Sequence, residues 1–351
     1  MNTEQWLDET LPRHARLTQA VVTIIENLLK SREIDYLTIT GRTKDKQGAL
    51  EKIKRKGYKD PAKQLTDLSG IRIIVFFESD IQAVSELVTA SFCVDKENSL
   101  NKDRLLSTDQ IGYRSVHFVC DLGDQRGTLP EFHGLSGLKF EFQVRTVLQH
   151  AWAELAHDRN YKFSGKLPRE IERKLYLYAG MLEIADKGFD EISTQIDDYI
   201  RSLQQRSAEG DLSAEIDSIS LAQFIEDWSR ENDFPLDEAF FKDKYGELVE
   251  ELKQFGVTTL FDLKEIIPNG YQKISKQVGH STTAYGLIRN WMLITDWRRF
   301  LREVTFNWVM SEPEIFRAYF DVNEFSEFAK SFEWEIESNE VSDEDDFDIT
   351  N

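Results

Sequence analysis

FEFQVRTVLQHAWAELAHDRNYK, residues 140–162, is a strand that turns into a helix without a break, and the fold is read outward from it. Successive strand side chains point to opposite faces, so Phe140, Phe142 and Val144 share one side and Glu141, Gln143 and Arg145 the other. One face builds core, and the other presents an acid, an amide and a cation. Past Thr146 the period changes. Leu148, Ala151, Trp152 and Leu155 recur at helical spacing and predict an apolar stripe, while His150, Glu154, His157 and Tyr161 predict a polar one. A strand ending in polar groups and continuing into such a helix lines a cleft on a mixed sheet.

The flanking sequence supplies the other elements. Residues 3–30 predict a helix, 33–40 a strand running into Gly41, 48–57 a helix, 70–77 a buried strand and 80–90 a helix. Strands near 91–95, 113–121 and 138–145 complete the sheet, with GDQRG as a hairpin turn between the last two and helices on both faces. After Pro168, which suits a first helical turn, residues 169–205 predict one long helix or a helical pair. The expected fold class is α+β: a mixed β-sheet flanked by helices, followed by a mainly α-helical C-terminal module. The expected divisions are an N-terminal helix at 1–30, a sheet domain with its trailing helix at 31–205, a linker at 206–214, the helical module at 215–331 and an acidic, disordered tail at 332–351. In the module, Trp291, Trp297, Phe300, Phe306 and Trp308 are expected in the core rather than in a ligand box.

At 351 residues and 40% apolar content the chain has room for two cored domains. Cys93 and Cys120 fall in apolar strands without metal-site spacing, so both are expected as reduced core residues of a cytoplasmic protein. Neither a secretory leader nor a run long enough to cross a bilayer is visible, and no membrane association is expected. A net charge of −20 argues against a polyanionic partner for the chain as a whole. The charge is uneven, however: residues 41–63 carry Arg42, Lys44, Lys46, Lys52, Lys54, Arg55, Lys56, Lys59 and Lys63 against Asp45, Glu51 and Asp60. Such a cationic patch suits a bound phosphate chain, and it equally suits a solvated helix face. With neither GxxxxGK[ST] nor GxGxxG present, a phosphate cradle here must be built from side chains.

The remaining candidates also carry two readings each. Asp67 and Glu141 are two hard oxygen donors suited to Mg²⁺, or else a capping residue and a solvent-facing acid. Tyr113 shares a strand face with Ser115 and His117, where it either stacks a nucleobase or lies at a sheet edge. His150, Glu154 and His157 share a helix face, which fits a zinc triad less well than it fits support of neighbouring site residues.

The ordered set TGRTKDKQGALEKIKRKG, DLSGIRIIVFF, GYRSVHFV and EFQVRTVLQHAWAELAHDRNYK resembles the RelA/SpoT synthetase-domain family, whose members make the alarmones (p)ppGpp. The likeness covers about residues 30–205. It implies a nucleotidyltransferase-like sheet, Mg²⁺ as cofactor, and transfer of the β,γ-pyrophosphoryl group of ATP to the 3′-hydroxyl of GDP or GTP. By the same resemblance Asp67 and Glu141 would hold the metal, with Glu141 accepting the proton of the attacking hydroxyl. Arg42 and Arg72 would sandwich adenine; Lys44, Lys52, Lys54, Arg55 and Lys56 would hold the ATP phosphates. Tyr113 would stack guanine, with His117, Gln143 and Arg145 on the rest of the acceptor.

Two departures from the family pattern stand out. Gly48 replaces a serine common in the ATP loop, and STDQI precedes Gly112 where many small relatives have Lys-Pro-Asn, which bears on acceptor choice. An upstream hydrolase domain is not expected. Besides the alarmone synthetase, a toxin-like enzyme acting on the tRNA 3′ end and a non-catalytic nucleotide sensor are carried as alternatives. The helical module is without a placeable motif; self-association or a regulatory partner is its expected use.

Overall fold

A computed structural model describes residues 2–101, 115–162, 168–237, 245–308 and 314–332. The chain divides into two compact units, Met1–Gln195 and Ile196–Asn351.

The first unit opens with helix α1 (Thr3–Ser31), started by an Asn2 capping box with Gln5. Its buried residues Leu7, Leu17, Val21, Ile25 and Leu29 keep the three-to-four spacing of a single face. Strand β1 (Thr38–Thr43) begins later than residues 33–40 suggest. Glu33 adopts a left-handed conformation at φ 54°, and the amides of Glu33 and Ile34 bond back to Lys30 and Leu29, so the helix end holds this stretch away from the sheet. There follow α2 (Lys46–Lys56), α3 (Pro61–Gln64), β2 (Ser69–Val75), α4 (Glu78–Ser91), β3 (Cys93–Val94) and β4 (Leu100–Asn101). Then come β5 (Val116–Asp121), α5 (Gly123–Gly127), β6 (Phe140–Thr146), α6 (Val147–Lys162) and α7 (Arg169–Ala208).

The strand order is β1-β2-β6-β5-β3, with β4 also on β5; β2 and β6 are parallel and the other pairs antiparallel. The mixed sheet and the alternation along β6 agree with the sequence: Phe140, Phe142 and Val144 are fully buried, while Glu141, Gln143 and Arg145 are half-buried on the other face. Helical residues join the strand core from α1 and α4, against Ile71, Ile73, Val75, Phe140, Phe142 and Val144. The opposite face carries a polar network, and α6 lies against it through the bond from Arg72 to Glu154.

Three further expectations change. GDQRG is not a hairpin turn but the short helix α5, and the connection to β6 buries Leu122 and Leu135, so it contributes core of its own. In α6 the apolar stripe does not bury: Ala151 is exposed and Leu155 is 65% exposed, while Gln149 is buried and accepts from the Thr146 amide. Cys93 is exposed because β3 is a two-residue edge strand; Cys120 is buried, its thiol pushed up to about 12 by burial first and then by Asp121.

In the second unit, α7 continues unbroken to Ala208, and Leu203, Ala214 and Ile216 are buried in the local core. Residues 206–214 begin in the last turn of α7 and are mostly exposed, with Ala214 buried at their end. Helices α8 (Ser218–Glu231), α9 (Tyr245–Gln254), α10 (Leu260–Glu265), α11 (Tyr271–Val278), α12 (Ala284–Glu303), α13 (Glu314–Arg317) and α14 (Val322–Ser331) follow. Trp291 and Phe300 are fully buried and Trp297 nearly so, with Phe306 and Trp308 packed against them, as the sequence predicts. Among the described residues no helix is long and apolar enough to cross a membrane. The acidic tail expected at 332–351 lies, after Phe332, outside the described residues.

Candidate active site

The parallel pairing of β2 and β6 brings the first pieces together. Gly70 stands opposite Glu141 and Arg72 opposite Gln143, while β5 sets His117 opposite Gln143 on the other side. Asp67 lies just before β2, and Lys44 lies just after β1, whose Thr43 pairs with Ser69. The Lys44 amide continues that ladder to the Leu68 carbonyl at 2.8 Å. Residues scattered over a hundred positions of sequence thus meet at one end of three strands.

Two clusters form there. In the first, Asp67 Oδ2 accepts from Lys52 Nζ at 2.6 Å and lies 3.3 Å from Lys44 Nζ. Its other oxygen, Oδ1, is buried without a hydrogen-bond partner. Burial pushes the Asp67 carboxyl up, but the Lys52 hydrogen bond and the Lys44 and Lys52 charges outweigh it and hold the group below the usual carboxylate range. In the second, Glu141 Oε1 is 2.8 Å from His117 Nδ1, and Glu141 Oε2 accepts from Gln143 Nε2 at 2.9 Å. His117 Nε2 lies 2.6 Å from Ser115 Oγ. Burial raises Glu141 and Asp67 repels it, yet the His117 and Gln143 bonds bring it below its ordinary value.

Both carboxylates are therefore ionised at neutral pH, and Glu141 senses Asp67. Two hard oxygen donors, one with a buried and unpartnered oxygen, fit a magnesium ion whose other positions are filled by phosphate oxygens and water. Lys52→Met is expected to raise the Asp67 pKa, because burial would then face one ammonium instead of two. An NMR titration of the Asp67 carboxyl checks this; an unmoved midpoint would show that Lys52 does not hold the charge.

The remaining predicted residues are placed less evenly. Arg72 Nη1 donates to Glu154 Oε1 at 2.9 Å, and His150 Nδ1 is 3.7 Å from the same oxygen, so the polar face of α6 holds Arg72. Burial first, then Arg72, lowers the His150 pKa. Among the described residues no group of three or more His, Cys, Asp or Glu could hold a metal ion. Arg145 bonds Gln143 weakly at 3.4 Å, and its buried Nε has no partner. A buried guanidinium with a donor to spare favours an anion.

Arg42 is exposed on β1, opposite Gly70. Lys54, Arg55 and Lys56 are exposed in the last turn of α2, where cations suit the helix dipole, and they have no recorded bond to either carboxylate. Gly48 donates its amide to Asp45, the N-cap of α2, and a Cβ there would sit 3.2 Å from that side chain. Tyr113, STDQI and the His157 side chain lie outside the described residues.

A buried polar cluster was missed at the sequence level. His14 Nδ1 bonds Ser69 Oγ at 2.8 Å, Ser69 Oγ donates to the His14 carbonyl at 3.1 Å, and Thr18 Oγ1 donates to the same carbonyl at 2.9 Å. The Thr18 proton being spent, Thr43 donates to Thr18 across 2.9 Å. Burial, with Arg13 nearby, drops the His14 pKa to about 4, so the ring is neutral. Helix α1 thereby anchors the Thr43–Ser69 pair whose ends deliver Lys44 and Asp67. Gly41 permits this approach, since a Cβ would meet Thr18 Cγ2 at 2.6 Å. The legible signal was a histidine and a threonine in the apolar stripe of residues 3–30.

Residues 41–166 match the family described as the region found in RelA / SpoT proteins. The chain is 30% identical over 164 residues to the GTP pyrophosphokinase YjbM of Bacillus subtilis, covering 45% of this chain and 72% of the relative. It is 27% identical over 160 residues to the GTP pyrophosphokinase YwaC of the same organism, covering 44% and 73%. Among solved structures, the small alarmone synthetase 1 from B. subtilis bound to its product pppGpp matches with a TM-score of 0.46 and 27% identity, over 55% of this chain and 98% of that one.

Proposed function

We propose that this chain, which belongs to the RelA/SpoT family, is a pyrophosphoryl transferase that moves the β,γ-pyrophosphoryl group of ATP to the ribose 3′-hydroxyl of GDP or GTP and releases AMP. The carrying observation is Asp67, a half-buried, ionised carboxylate fastened on one oxygen by Lys44 and Lys52, its other oxygen buried and unpartnered. The two curated relatives, each a GTP pyrophosphokinase covered over more than two thirds of its length, support the same class.

In the proposed reaction Glu141, held by His117 and Gln143, takes the proton of the 3′-hydroxyl. The freed oxygen bonds to the β-phosphorus; the bond from that phosphorus to the bridging oxygen breaks, and its electron pair leaves on the α-phosphate of AMP. Mg²⁺ held by Asp67 and Glu141 would neutralise charge across the phosphates. Lys44 and Lys52, with Lys54, Arg55 and Lys56 at the end of α2, serve the ATP phosphates, and Arg42 and Arg72 the adenine. Gln143, Arg145, His117 and Tyr113 serve the acceptor, while His150, Glu154 and His157 support Arg72 and its surroundings. In-line transfer depends on position more than on covalent chemistry.

That dependence gives α1 a positioning role. His14→Ala is expected to lower kcat about tenfold while changing the KM for ATP less than about threefold, since the strand ends shift and the nucleotide contacts remain. Partial recovery in His14→Gln, which keeps an amide donor, would mark the hydrogen bond as the cause. Unchanged turnover in a folded His14→Ala protein would remove the role.

The assay is purified protein with Mg²⁺ and γ-labelled ATP, offered GDP, GTP or deacylated tRNA separately. Label on a guanine nucleotide with matching AMP release supports the proposal. Label on tRNA alone would redirect it to an RNA-modifying enzyme, and absence of transfer in protein that still binds ATP would leave only a nucleotide sensor.

A further inference from the structure

Strands β2 and β6 run parallel and end together, Val75 opposite Thr146, and each leads into a helix, α4 or α6. Helix α7 reaches both helix starts with two carboxylates one turn apart. Asp190 Oδ1 accepts from the amide and the hydroxyl of Ser79, in the first turn of α4, at 2.9 and 2.6 Å. Asp186 Oδ2 accepts from Thr146 Oγ1, at the start of α6, at 2.6 Å. A carboxylate in such a place suits the positive end of the helix dipole. The two contacts differ in setting: Ser79 is exposed, whereas Asp186 is only 2% exposed and Thr146 is fully buried.

Thr146 stands at the N-cap position of α6, immediately before Val147. Its Oγ1 accepts from the Gln149 amide at 3.1 Å, and Gln149 Oε1 accepts from the Thr146 amide at 3.2 Å, so the pair satisfies two amides at the strand-to-helix junction. The hydroxyl has one proton, and Asp186 takes it, which turns the Oγ1 lone pairs to Gln149. Asp186 thereby fixes the first turn of α6, and with it the line along which α6 crosses the polar face of the sheet. Two turns on, Glu154 accepts from Arg72. Helix α4 lies on the other face, with Val84, Leu87 and Val88 in the strand core, so the Asp190 contact does not bear on Arg72.

We propose that Asp186 is a positioning residue for the nucleotide donor: through the Thr146 hydroxyl it sets the direction of α6, keeps Glu154 on Arg72, and so holds the Arg72 guanidinium in place for the adenine ring. An ion pair between partly exposed side chains contributes little by itself, so Arg72 depends on where α6 delivers Glu154. Glu154 lies about 12 Å along the helix axis from Thr146, and a tilt of about 10° at the cap moves it by about 2 Å, more than a hydrogen bond tolerates. The donor role rests on the proposed function, which gives Arg72 to adenine; the tie from Asp186 to α6 does not.

Calorimetry of the full chain with a non-hydrolysable ATP analogue and, separately, with GDP tests it, alongside hydrogen exchange of the α6 amides at 147–155. Asp186→Ala is expected to weaken the analogue about tenfold and GDP less than about twofold, and to speed exchange in α6 about tenfold. Asp186→Asn, whose Oδ1 accepts the same proton, should return to within about threefold of wild type. In turnover with saturating acceptor the loss should fall on the KM for ATP and not on kcat. In a Glu154→Ala background Asp186→Ala should add less than about twofold, because the two residues act in series. Asp190→Ala, which releases α4 alone, should leave the analogue within about twofold of wild type. Unchanged affinity in a folded Asp186→Ala protein, an undiminished loss in the Glu154→Ala background, or an equal loss from Asp190→Ala would each overturn the role. Should Asp186→Ala fail to fold, Thr146→Val and Thr146→Ser decide in its place: the first is expected to show the loss and the second, which keeps the hydroxyl, is not. A wild type that binds no ATP analogue would overturn the proposed function and the donor role with it; faster α6 exchange in Asp186→Ala would still establish the tie to α6, and unaltered exchange would remove that too.

Discussion

Glu141→Gln is expected to lower turnover by about three orders of magnitude or more while leaving the fold and ATP binding in place. The substitution keeps the shape of the side chain and an oxygen for the Gln143 bond, but removes the charge that faces His117 and would face a metal. Proton acceptance from the attacking hydroxyl and metal binding both depend on that charge. Single-turnover measurements with saturating ATP and acceptor, alongside thermal melting, separate loss of chemistry from loss of structure. Wild-type-like turnover in a folded Glu141→Gln protein would take the base and the metal away from this residue together, and the site would have to be rebuilt around Asp67 alone.

Asp67→Asn is the second large expected effect, again about a thousandfold or more in kcat, with a signature of its own. Lys44 and Lys52 both converge on Asp67 Oδ2, so neutralising it leaves two half-buried ammonium groups facing each other without their shared anion. Stability should fall too, and the sign with pH follows from the depressed pKa. A carboxyl whose folded pKa lies below its unfolded value contributes stability that is fully present above the unfolded value, near pH 4, and lost as pH falls through the folded one. The gap in melting temperature between wild type and Asp67→Asn should therefore be widest near neutrality and narrow as the pH drops below about 4. A gap independent of pH over that range would show that Asp67 is not held ionised by its lysines.

Much of the site was legible because its residues sit in short, periodic segments. Period-two alternation put Glu141, Gln143 and Arg145 on one face of β6, and the half-burial of that face against fully buried Phe140, Phe142 and Val144 agrees. The cationic run 41–63 was visible by composition. How its members are placed was not: Lys44 and Lys52 reach Asp67, whereas Lys54, Arg55 and Lys56 are exposed in the last turn of α2. A helix turns 100° per residue, and only the placement of its axis decides which lysine points inward.

The failures share that cause. The stripe through Leu148, Ala151, Trp152 and Leu155 has helical period, yet Leu155 is mostly exposed, because periodicity says that a face exists and not that anything covers it. The strand expected at 33–40 was delayed by backbone bonds from the end of α1, a competition that composition does not display.

By itself the sequence determined the mixed sheet, the two-faced strand at 140–146 and the helical character of the second unit, since each rests on local period or residue type, while Asp67 and Glu141 were picked out by the family resemblance. Tertiary structure alone decided the pairings that make a site: Lys52 with Asp67, His117 with Glu141, Arg72 with Glu154 and His14 with Ser69. These partners lie 15 to 82 positions apart in the chain. Their meeting is set by strand register and helix docking, which are properties of the packed core and not of any one segment.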